Sequence, residues 1–452
     1  MFRRDVQDDL EKWLQKPGRK PLILRGARQV GKTTAVNQFA KNFENYLYIN
    51  LEDDLVAGFF DHFRPVDELL VNLFAYCNVR RKEGKTLLFI DEIQNSKKAV
   101  ASLRYFYEEM PDLYVIAAGS LLESLIDVHV SFPVGRVEYM AVHPCSFREY
   151  MVAEGESLLR ERISSDVEAS VVFHEKLMNM FNRYTLLGGM PEVIKTYTET
   201  KDIASLDSIY DALLQGYRDD VEKYARNTTQ REVIRYILNA GWAETAKCVT
   251  LGGFAGSSYK SREMGEAFRT LEKALLLELV YPTTNTSIPI QSDMRRAPKL
   301  IWLDTGLVNY ASGIQKEVFM AKDIQDSWRG MVAEQIVAQE LLALSNKVST
   351  RRNFWVRAKA GASAEVDFVI SRNSGIIPIE VKSGHNAHLR SLHSFVNNSA
   401  EYVTAVRVWS QPFSIDKPVT NYGKRFTLIN VPFYMVGWLP QIIDRYNEPS
   451  IQ

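Results

Sequence analysis

The sequence predicts an α/β fold, and the first 150 residues carry the clearest signal for it. Short apolar runs of strand length recur there, and stretches with helical periodicity separate most of them. Strands that are buried on both faces read as continuous apolar runs, which is typical of a parallel sheet covered by helices. These runs lie at residues 21–25, 46–51, 87–91, 114–118 and 137–142.

Other patterns follow in the rest of the chain. Residues 151–225 favour helices. Residues 226–295 favour a helix, a turn, a second helix and then a long amphipathic helix over 264–279, with a Thr-rich hairpin after it at 283–291. The C-terminal part predicts a helix over 326–345, strands at 353–357, 366–371 and 376–381, and a helix from about residue 388.

Composition and charge exclude several classes of protein. Of the 452 residues, 46% are apolar, which is ordinary for a globular chain. Lysine plus arginine equals aspartate plus glutamate, at 55 each, so the net charge argues neither for nor against nucleic acid. Three widely spaced cysteines exclude a disulfide framework or a zinc ribbon. The first residues lack an apolar signal segment, and the most apolar stretch, 274–281, is too short to span a bilayer, so we expect a cytoplasmic protein without a membrane partner.

A nucleotide-binding motif follows the first predicted strand. Residues 26–33 match GxxxxGK[ST], with a strand before the motif and a helix after it. Glycines let backbone N–H groups surround phosphates, and a helix N-terminus adds positive partial charge. We expect Lys32 to reach the β- and γ-phosphates of ATP and Thr33 to ligate Mg²⁺. The predicted nucleotide-binding residues are Gly26, Ala27, Arg28, Gln29, Val30, Gly31, Lys32, Thr33 and Thr34.

Two carboxylates end the strand predicted at residues 87–91. Asp91 and Glu92 follow four apolar residues, so they lie at the carboxyl edge of the sheet, where open α/β sheets bind ligands. We expect Asp91 to hold the magnesium shell and Glu92 to orient or deprotonate the attacking water. A strand followed by a solvated turn is the alternative, which the neighbouring motif makes the weaker one.

The segments GARQVGKTT and LLFIDEIQ resemble those of the AAA+ ATPases, and more narrowly those of bacterial and archaeal ATPases that carry a C-terminal domain of uncharacterised function. The resemblance implies that Ser120 senses the γ-phosphate, although a serine that caps the next helix fits the position equally well. It also implies that Arg136 is an arginine finger for a neighbouring subunit, with a surface arginine in a turn as the alternative. A finger that acts in trans requires a homo-oligomer. Further markers lie at residues 117–120, 132–150, 186–192 and 300–307.

Residues 226–295 resemble a winged helix. The helix over 261–279 takes the place of the recognition helix, and basic residues on it are candidates for contacts with DNA phosphates. Glutamates interleave with these basic residues, so an ordinary packing helix is the alternative. We interpret the small basic patch at Arg295, Arg296 and Lys299 as a solvated turn rather than a DNA contact. The candidate phosphate contacts are Lys260, Arg262, Arg269 and Lys273.

A second constellation lies in the strands near the C-terminus. Asp367 on one strand is followed by Glu380 and Lys382 on the next, and the spacing of two places the last pair on one face. This pattern resembles the PD-(D/E)xK nucleases. The resemblance implies that Asp367, Glu380 and the upstream Glu334 bind a divalent metal and that Lys382 assists the attacking water. The alternative is a Lys–Glu ion pair on a solvated strand face.

Together these features predict an AAA+ domain over residues 1–150, a helical lid over 151–225, a winged-helix-like segment over 226–310 and a restriction-endonuclease-like α/β domain over 311–452. The predicted cofactors are ATP and Mg²⁺. The favoured function is ATP hydrolysis that regulates a DNA-associated, nucleolytic C-terminal domain. The alternative is an ATP-driven signalling or oligomerisation switch that acts on a protein partner through a catalytically silent nuclease-like scaffold.

Overall fold

The chain folds around two sheets with a helical region between them. A computed structural model describes residues 2–62, 66–119, 133–220, 225, 227–315, 330–358, 364–373, 375–382 and 389–446. No helix in these ranges is long and apolar enough to cross a membrane.

The first sheet confirms the predicted α/β fold. Its strand order is β2-β3-β4-β1-β5, and every neighbouring pair is parallel. Each predicted strand is found within one residue of its expected ends. The strands are β1 Leu22–Arg25, β2 Asn45–Asn50, β3 Thr86–Asp91, β4 Tyr114–Gly119 and β5 Glu138–Ala141. The helices around them are α1 Val6–Gln15, α2 Lys32–Phe39, α3 Asp54–His62, α4 Val66–Tyr76 and α5 Lys97–Glu109.

Helices follow the first sheet, as the sequence predicts for residues 151–225. The first of them begins at a capping box in which Ser146 and Glu149 satisfy each other's backbone N–H groups. A proline, Pro191, opens the fourth, where its missing N–H costs nothing. The helices are α6 Phe147–Ala153, α7 Ser157–Ser165, α8 His174–Leu187, α9 Pro191–Thr200 and α10 Asp207–Asp219.

The second sheet is mixed, with the strand order β12-β13-β11-β10-β9-β8-β6-β7. The strands are β6 Leu277–Thr283, β7 Lys299–Trp302, β8 Asn353–Val356, β9 Glu365–Arg372, β10 Gly375–Val381, β11 Thr404–Trp409, β12 Ser414–Asp416 and β13 Thr427–Pro432. The helices of this part are α11 Thr228–Ala240, α12 Ser261–Lys273, α13 Thr305–Ala311, α14 Met331–Ala343, α15 Arg390–Asn398 and α16 Leu439–Tyr446.

The long helix predicted over 264–279 is wrong in its last third. Helix α12 ends at Lys273, Leu275 takes a positive φ of 59°, and strand β6 begins at Leu277. A short apolar run fits a buried strand as well as a helix, and pairing with β7 and β8 decided the outcome. The hairpin predicted at 283–291 is also wrong, because β6 pairs with the later strand β7 instead.

One hydrophobic core spans much of the chain. It runs from Leu24 in the first sheet through Phe147 and Tyr184 in the helical region to Trp302 in the second sheet and Ile336 in α14. Strands β6 and β7 share their sheet with β8–β13, so the boundary predicted at residue 310 falls between strands of one sheet. Buried apolar contacts of this core join the nucleotide-binding region to the C-terminal region.

Candidate nucleotide site and C-terminal acidic cluster

Glycines shape the loop between β1 and α2. A Cβ on Gly26 would lie 2.3 Å from the carbonyl oxygen of Val142, so no other residue fits there without a shift of the backbone. Gly31 has a φ of 90°, a backbone conformation that residues with a side chain rarely adopt. Helix α2 starts at the next residue, directly after the loop. The N–H groups at the N-terminus of α2 are therefore available to an anion held by the loop.

The Lys32 side chain contacts the backbone of the loop between β1 and α2. Its ammonium donates hydrogen bonds to the carbonyl oxygens of Gly26 at 2.9 Å and Ala27 at 2.8 Å. Burial lowers the pKa of Lys32 to about 8, and the nearby carboxylates of Glu92 and Asp91 oppose that shift. A phosphate would offer this ammonium stronger, charged acceptors than the two carbonyls.

Thr33 and Asp91 meet at the carboxyl edge of the sheet. The Thr33 hydroxyl donates to Oδ2 of Asp91 at 2.6 Å, although 58 residues separate the two. A hydroxyl beside a carboxylate is a hard-oxygen pair of the kind that Mg²⁺ prefers near nucleotide phosphates. The residues present therefore fit the predicted magnesium ion.

Glu92 has an unusual backbone conformation beside this pair. Its φ of 50° lies in the left-handed region, which is sparsely populated by residues other than glycine. The Gln94 side chain donates a short hydrogen bond to Oε2 of Glu92, and Glu92 N–H donates to Oδ1 of Asp91 at 3.1 Å. These contacts fix the Glu92 backbone beside Asp91 and give its carboxylate a partner in Gln94.

The two residues inferred from the AAA+ resemblance have different outcomes. Ser120 lies outside the described residues. Arg136 precedes β5, whereas the nucleotide motif follows β1, and the two strands are parallel neighbours. Arg136 therefore lies at the amino ends of the strands, whereas the chain's own nucleotide site lies at their carboxyl ends. At the amino ends Arg136 pairs with Glu108 at 3.1 Å. This position excludes action on the same chain's phosphates, and a role in trans stays a prediction.

Several contacts that the sequence did not reveal hold the loop in place. Arg4 is buried, donates to the carbonyl oxygens of Val30 and His143, and pairs with Glu149 at 2.7 Å. Arg28, predicted to bind nucleotide, pairs with the buried Asp220 at 2.5 Å. These partners lie 26 to 192 residues away in the chain, so no local spacing signals them.

The C-terminal residues of the nuclease-like pattern come together as the spacing predicts. Val381 N–H donates to Oδ2 of Asp367 at 2.7 Å, which joins β9 to β10. Lys382 pairs with Glu380 at 2.5 Å, and Glu380 is buried rather than on a solvated strand face. Helix α14 places Glu334 beside them.

Lys299 lies among these carboxylates, so its interpretation as part of a solvated turn is wrong. Only 3% of the residue is exposed. Its ammonium lies 2.8 Å from Glu334, 2.7 Å from Glu365 and 3.7 Å from Asp367. The other members of that patch do pair in a local turn, where Arg295 and Arg296 contact Asp293.

The acidic cluster does not fit the predicted metal ion. In the described part of the chain, no group of three or more histidine, cysteine, aspartate or glutamate side chains is placed to hold one. Burial raises the pKa of Glu380, Glu334 and Asp367, and the lysines oppose these shifts. Burial alone would lower the pKa of Lys299, but Glu334 and its neighbours outweigh burial and raise it. The two lysines therefore offset part of the negative charge of the cluster.

A buried polar network joins the two regions. Glu340 on α14 accepts hydrogen bonds from Phe147 N–H at 2.9 Å and from the Tyr184 hydroxyl at 2.7 Å. Asp304 accepts from the N–H of Gly189, which lies two residues before the start of α9. Gln339 of α14 accepts from Thr305 N–H at 2.8 Å. Helix α14 is thus bonded to the helical region and, through Gln335 and the backbone of Trp302 in β7, to the second sheet.

A family model matches the part of the chain that forms the first sheet. Residues 18–151 match the family model described as an AAA domain. Residues 178–318 and 329–434 match two domains of unknown function, DUF8612 and DUF4143.

Relatives of the chain are distant. An uncharacterized protein of Methanocaldococcus jannaschii is 23% identical over 232 residues, which span 49% of this chain and only 40% of that protein. A Walker-type ATPase of Pyrococcus abyssi is 15% identical, with 69% of this chain and 96% of that chain covered and a TM-score of 0.41. The RuvB Holliday junction branch migration motor of Thermotoga maritima is 15% identical, with 62% and 90% covered and a TM-score of 0.27. From the family match, the strand order and the loop after β1, we conclude that the N-terminal part of this chain has the fold of an AAA-type P-loop ATPase.

Proposed function

We propose that this protein binds ATP with Mg²⁺ and hydrolyses it. The observation that carries the proposal is the meeting of Thr33 and Asp91 at 2.6 Å beside Lys32, at the carboxyl edge of a parallel sheet. Thr33 and Asp91 would hold the ion, which when bound would neutralise charge on the β- and γ-phosphates. Lys32 exchanges two backbone carbonyls for phosphate oxygens, and the backbone N–H groups of residues 26–34 surround the phosphates. Glu92 orients or deprotonates the attacking water.

Two further residues belong to the proposal through family resemblance. Ser120 would sense the γ-phosphate. Arg136 would contact the nucleotide of a neighbouring copy, because its position at the amino ends of the strands keeps it from the chain's own site. A homo-oligomer is therefore part of the proposal.

We propose that the nucleotide state controls the C-terminal region. Arg4 bonds both the nucleotide loop, at Val30, and Glu149 at the start of α6. Phe147, the first residue of α6, donates its N–H to Glu340 of α14. A shift of the loop that accompanies phosphate binding would thus reach α14 through Arg4, the start of α6 and Glu340, all of which are buried.

The contacts favour a protein partner over DNA for this switch. One of the residues of α12 expected to meet phosphates, Arg262, donates to Glu266 at 3.2 Å, and Glu263 caps the start of the same helix. The acidic cluster holds an ammonium rather than a metal site, so nucleolytic chemistry, the other expected function, has less support than a silent scaffold. DNA binding through α12 remains the second candidate, since β6 and β7 follow α12 as an antiparallel pair, as in a winged helix.

The steady-state ATPase rate with Mg²⁺ tests the proposal. The wild type should hydrolyse ATP, Lys32→Ala should not, and Lys41→Ala, which removes an exposed lysine just beyond α2, should keep the wild-type rate. Equal rates in all three proteins would contradict the assignment. Single- and double-stranded DNA added to the wild type separate the two partners: stimulation supports DNA, whereas unchanged basal hydrolysis supports a protein partner.

A further inference from the structure

The position of Lys299 sets the acidic cluster apart from an open metal site. The residue begins β7, at the edge of the second sheet, yet its side chain points inward and is 97% covered, with 3% exposed. Burial of an ammonium is costly unless charged partners and hydrogen bonds compensate it. The compensation here comes from three separate elements of the fold.

These elements surround the ammonium. Helix α14 contributes Glu334 at 2.8 Å, and strand β9 contributes Glu365 at 2.7 Å and Asp367 at 3.7 Å. The ring of Phe354 in β8 lies below it, with its centroid 5.0 Å from the nitrogen. Two carboxylates in direct contact, a third nearby and an aromatic face make a built site for a monovalent cation.

Each carboxylate that the nuclease-like pattern assigns to a metal has a lysine near it. Glu334 and Asp367 face Lys299, and Glu380 faces Lys382 at 2.5 Å. A divalent ion needs several oxygen ligands at short, regular distances around one point. The Lys299 ammonium lies at the point that Glu334 and Asp367 share, and its charge repels a second cation there.

We propose that Lys299 is the resident cation of this cluster, that it keeps divalent metal out, and that the C-terminal region is therefore a nuclease-like scaffold closed by its own side chain. The bonds of Lys299 also tie α14 to β9. The same helix holds Glu340 at its other end, so the closed cluster fixes the element through which the nucleotide site contacts this region.

Binding of Mn²⁺ in the absence of nucleotide tests the inference. All proteins carry Asp91→Asn, so that the nucleotide site does not contribute a carboxylate. We expect no saturable Mn²⁺ binding at the cluster when Lys299 is present. Lys299→Met keeps the apolar stem and removes the charge, and it should bind one Mn²⁺ at least about tenfold more tightly by titration calorimetry, which is about 1.4 kcal/mol. Lys247→Met, at an exposed lysine, should behave as its parent.

Two further variants separate the outcomes. Asp367→Asn added to Lys299→Met should abolish the new binding, which assigns it to the cluster. If Lys299→Met alone does not fold, Lys299→Met/Glu334→Gln removes one charge of each sign and is compared with Glu334→Gln, and the double variant should bind Mn²⁺ more tightly. Mn²⁺ binding by the protein that retains Lys299, if Asp367→Asn abolishes it, would overturn the inference. So would Mn²⁺ affinities that do not change when Lys299 is replaced.

Discussion

Glu340 provides the sharpest test of the buried network, because its ionisation acts against folding. The residue is 1% exposed. Its Oε1 accepts from Phe147 N–H and from the Tyr184 hydroxyl, while Oε2 has no hydrogen-bond partner among the described residues. Burial raises the pKa of Glu340 from 4.5 to about 7, and the two hydrogen bonds oppose that shift.

The direction of the pH dependence follows from these values. Between pH 4.5 and about 7 the folded chain holds the Glu340 proton and the unfolded chain has lost it, so stability falls as pH rises through this window and is level above it. A pKa that rises from 4.5 to about 7 corresponds to roughly 3 kcal/mol. Glutamine keeps the Oε1 acceptor and does not ionise. We therefore expect Glu340→Gln to gain stability relative to the wild type by about 2–3 kcal/mol between pH 5 and pH 8.

Urea unfolding at several pH values between 5 and 8 measures this difference. Glu232→Gln, which changes an exposed glutamate on α11, is the matched control and should follow the wild type at every pH. A difference between Glu340→Gln and the wild type that stays constant from pH 5 to pH 8 would refute the account of a buried carboxyl that resists ionisation.

The remaining predictions concern the nucleotide site and its support. Lys32→Ala should weaken ATP binding about a hundredfold or more, because the phosphates lose their charged donor, and equilibrium titration with a fluorescent ATP analogue checks this; unchanged affinity would reject the role. Glu92→Gln should keep ATP affinity and lower turnover by about 10²–10⁴-fold, since the water loses its base, and rapid turnover in a single-turnover assay would contradict it. Arg4→Met should destabilise the protein by about 3–5 kcal/mol because it leaves Glu149 buried and unpaired, and adding Glu149→Gln should recover part of that loss in urea unfolding; independent, additive losses would show that the pair is not coupled. Arg136→Ala should lower turnover by about a thousandfold or more without lowering ATP affinity, and hydrolysis should return when it is mixed with Lys32→Ala, since each supplies what the other lacks; failure to recover activity would argue against action in trans.

Local motifs were readable from the sequence because their chemistry is local. The loop over residues 26–33 forms one anion site from adjacent residues. The periodicity of apolar residues predicts the strand before the loop and the helix after it. Asp91 and Glu92 could be placed at the same edge because parallel strands share their carboxyl ends. The pair of Glu380 and Lys382 followed from the period of two along a strand.

Ambiguous segments were decided by their partners. Residues 277–279 continue the apolar spacing of α12, yet they form a strand, because β7 pairs with them and β8 pairs with residues 281–283 of the same strand. Local propensity is weak compared with pairing in a buried sheet.

The sequence by itself determined the α/β fold of the N-terminal region, the nucleotide loop and the acids that face it. Only the tertiary structure decided that Arg4 supports the loop and that Lys299 fills the acidic cluster. The partners of Lys299 lie 35 residues or more away in the chain, so no spacing rule joins them. From its sequence context, Lys299 is expected to be a solvated charge. It is buried instead because carboxylates from α14 and β9 surround its ammonium and offset the loss of its hydration.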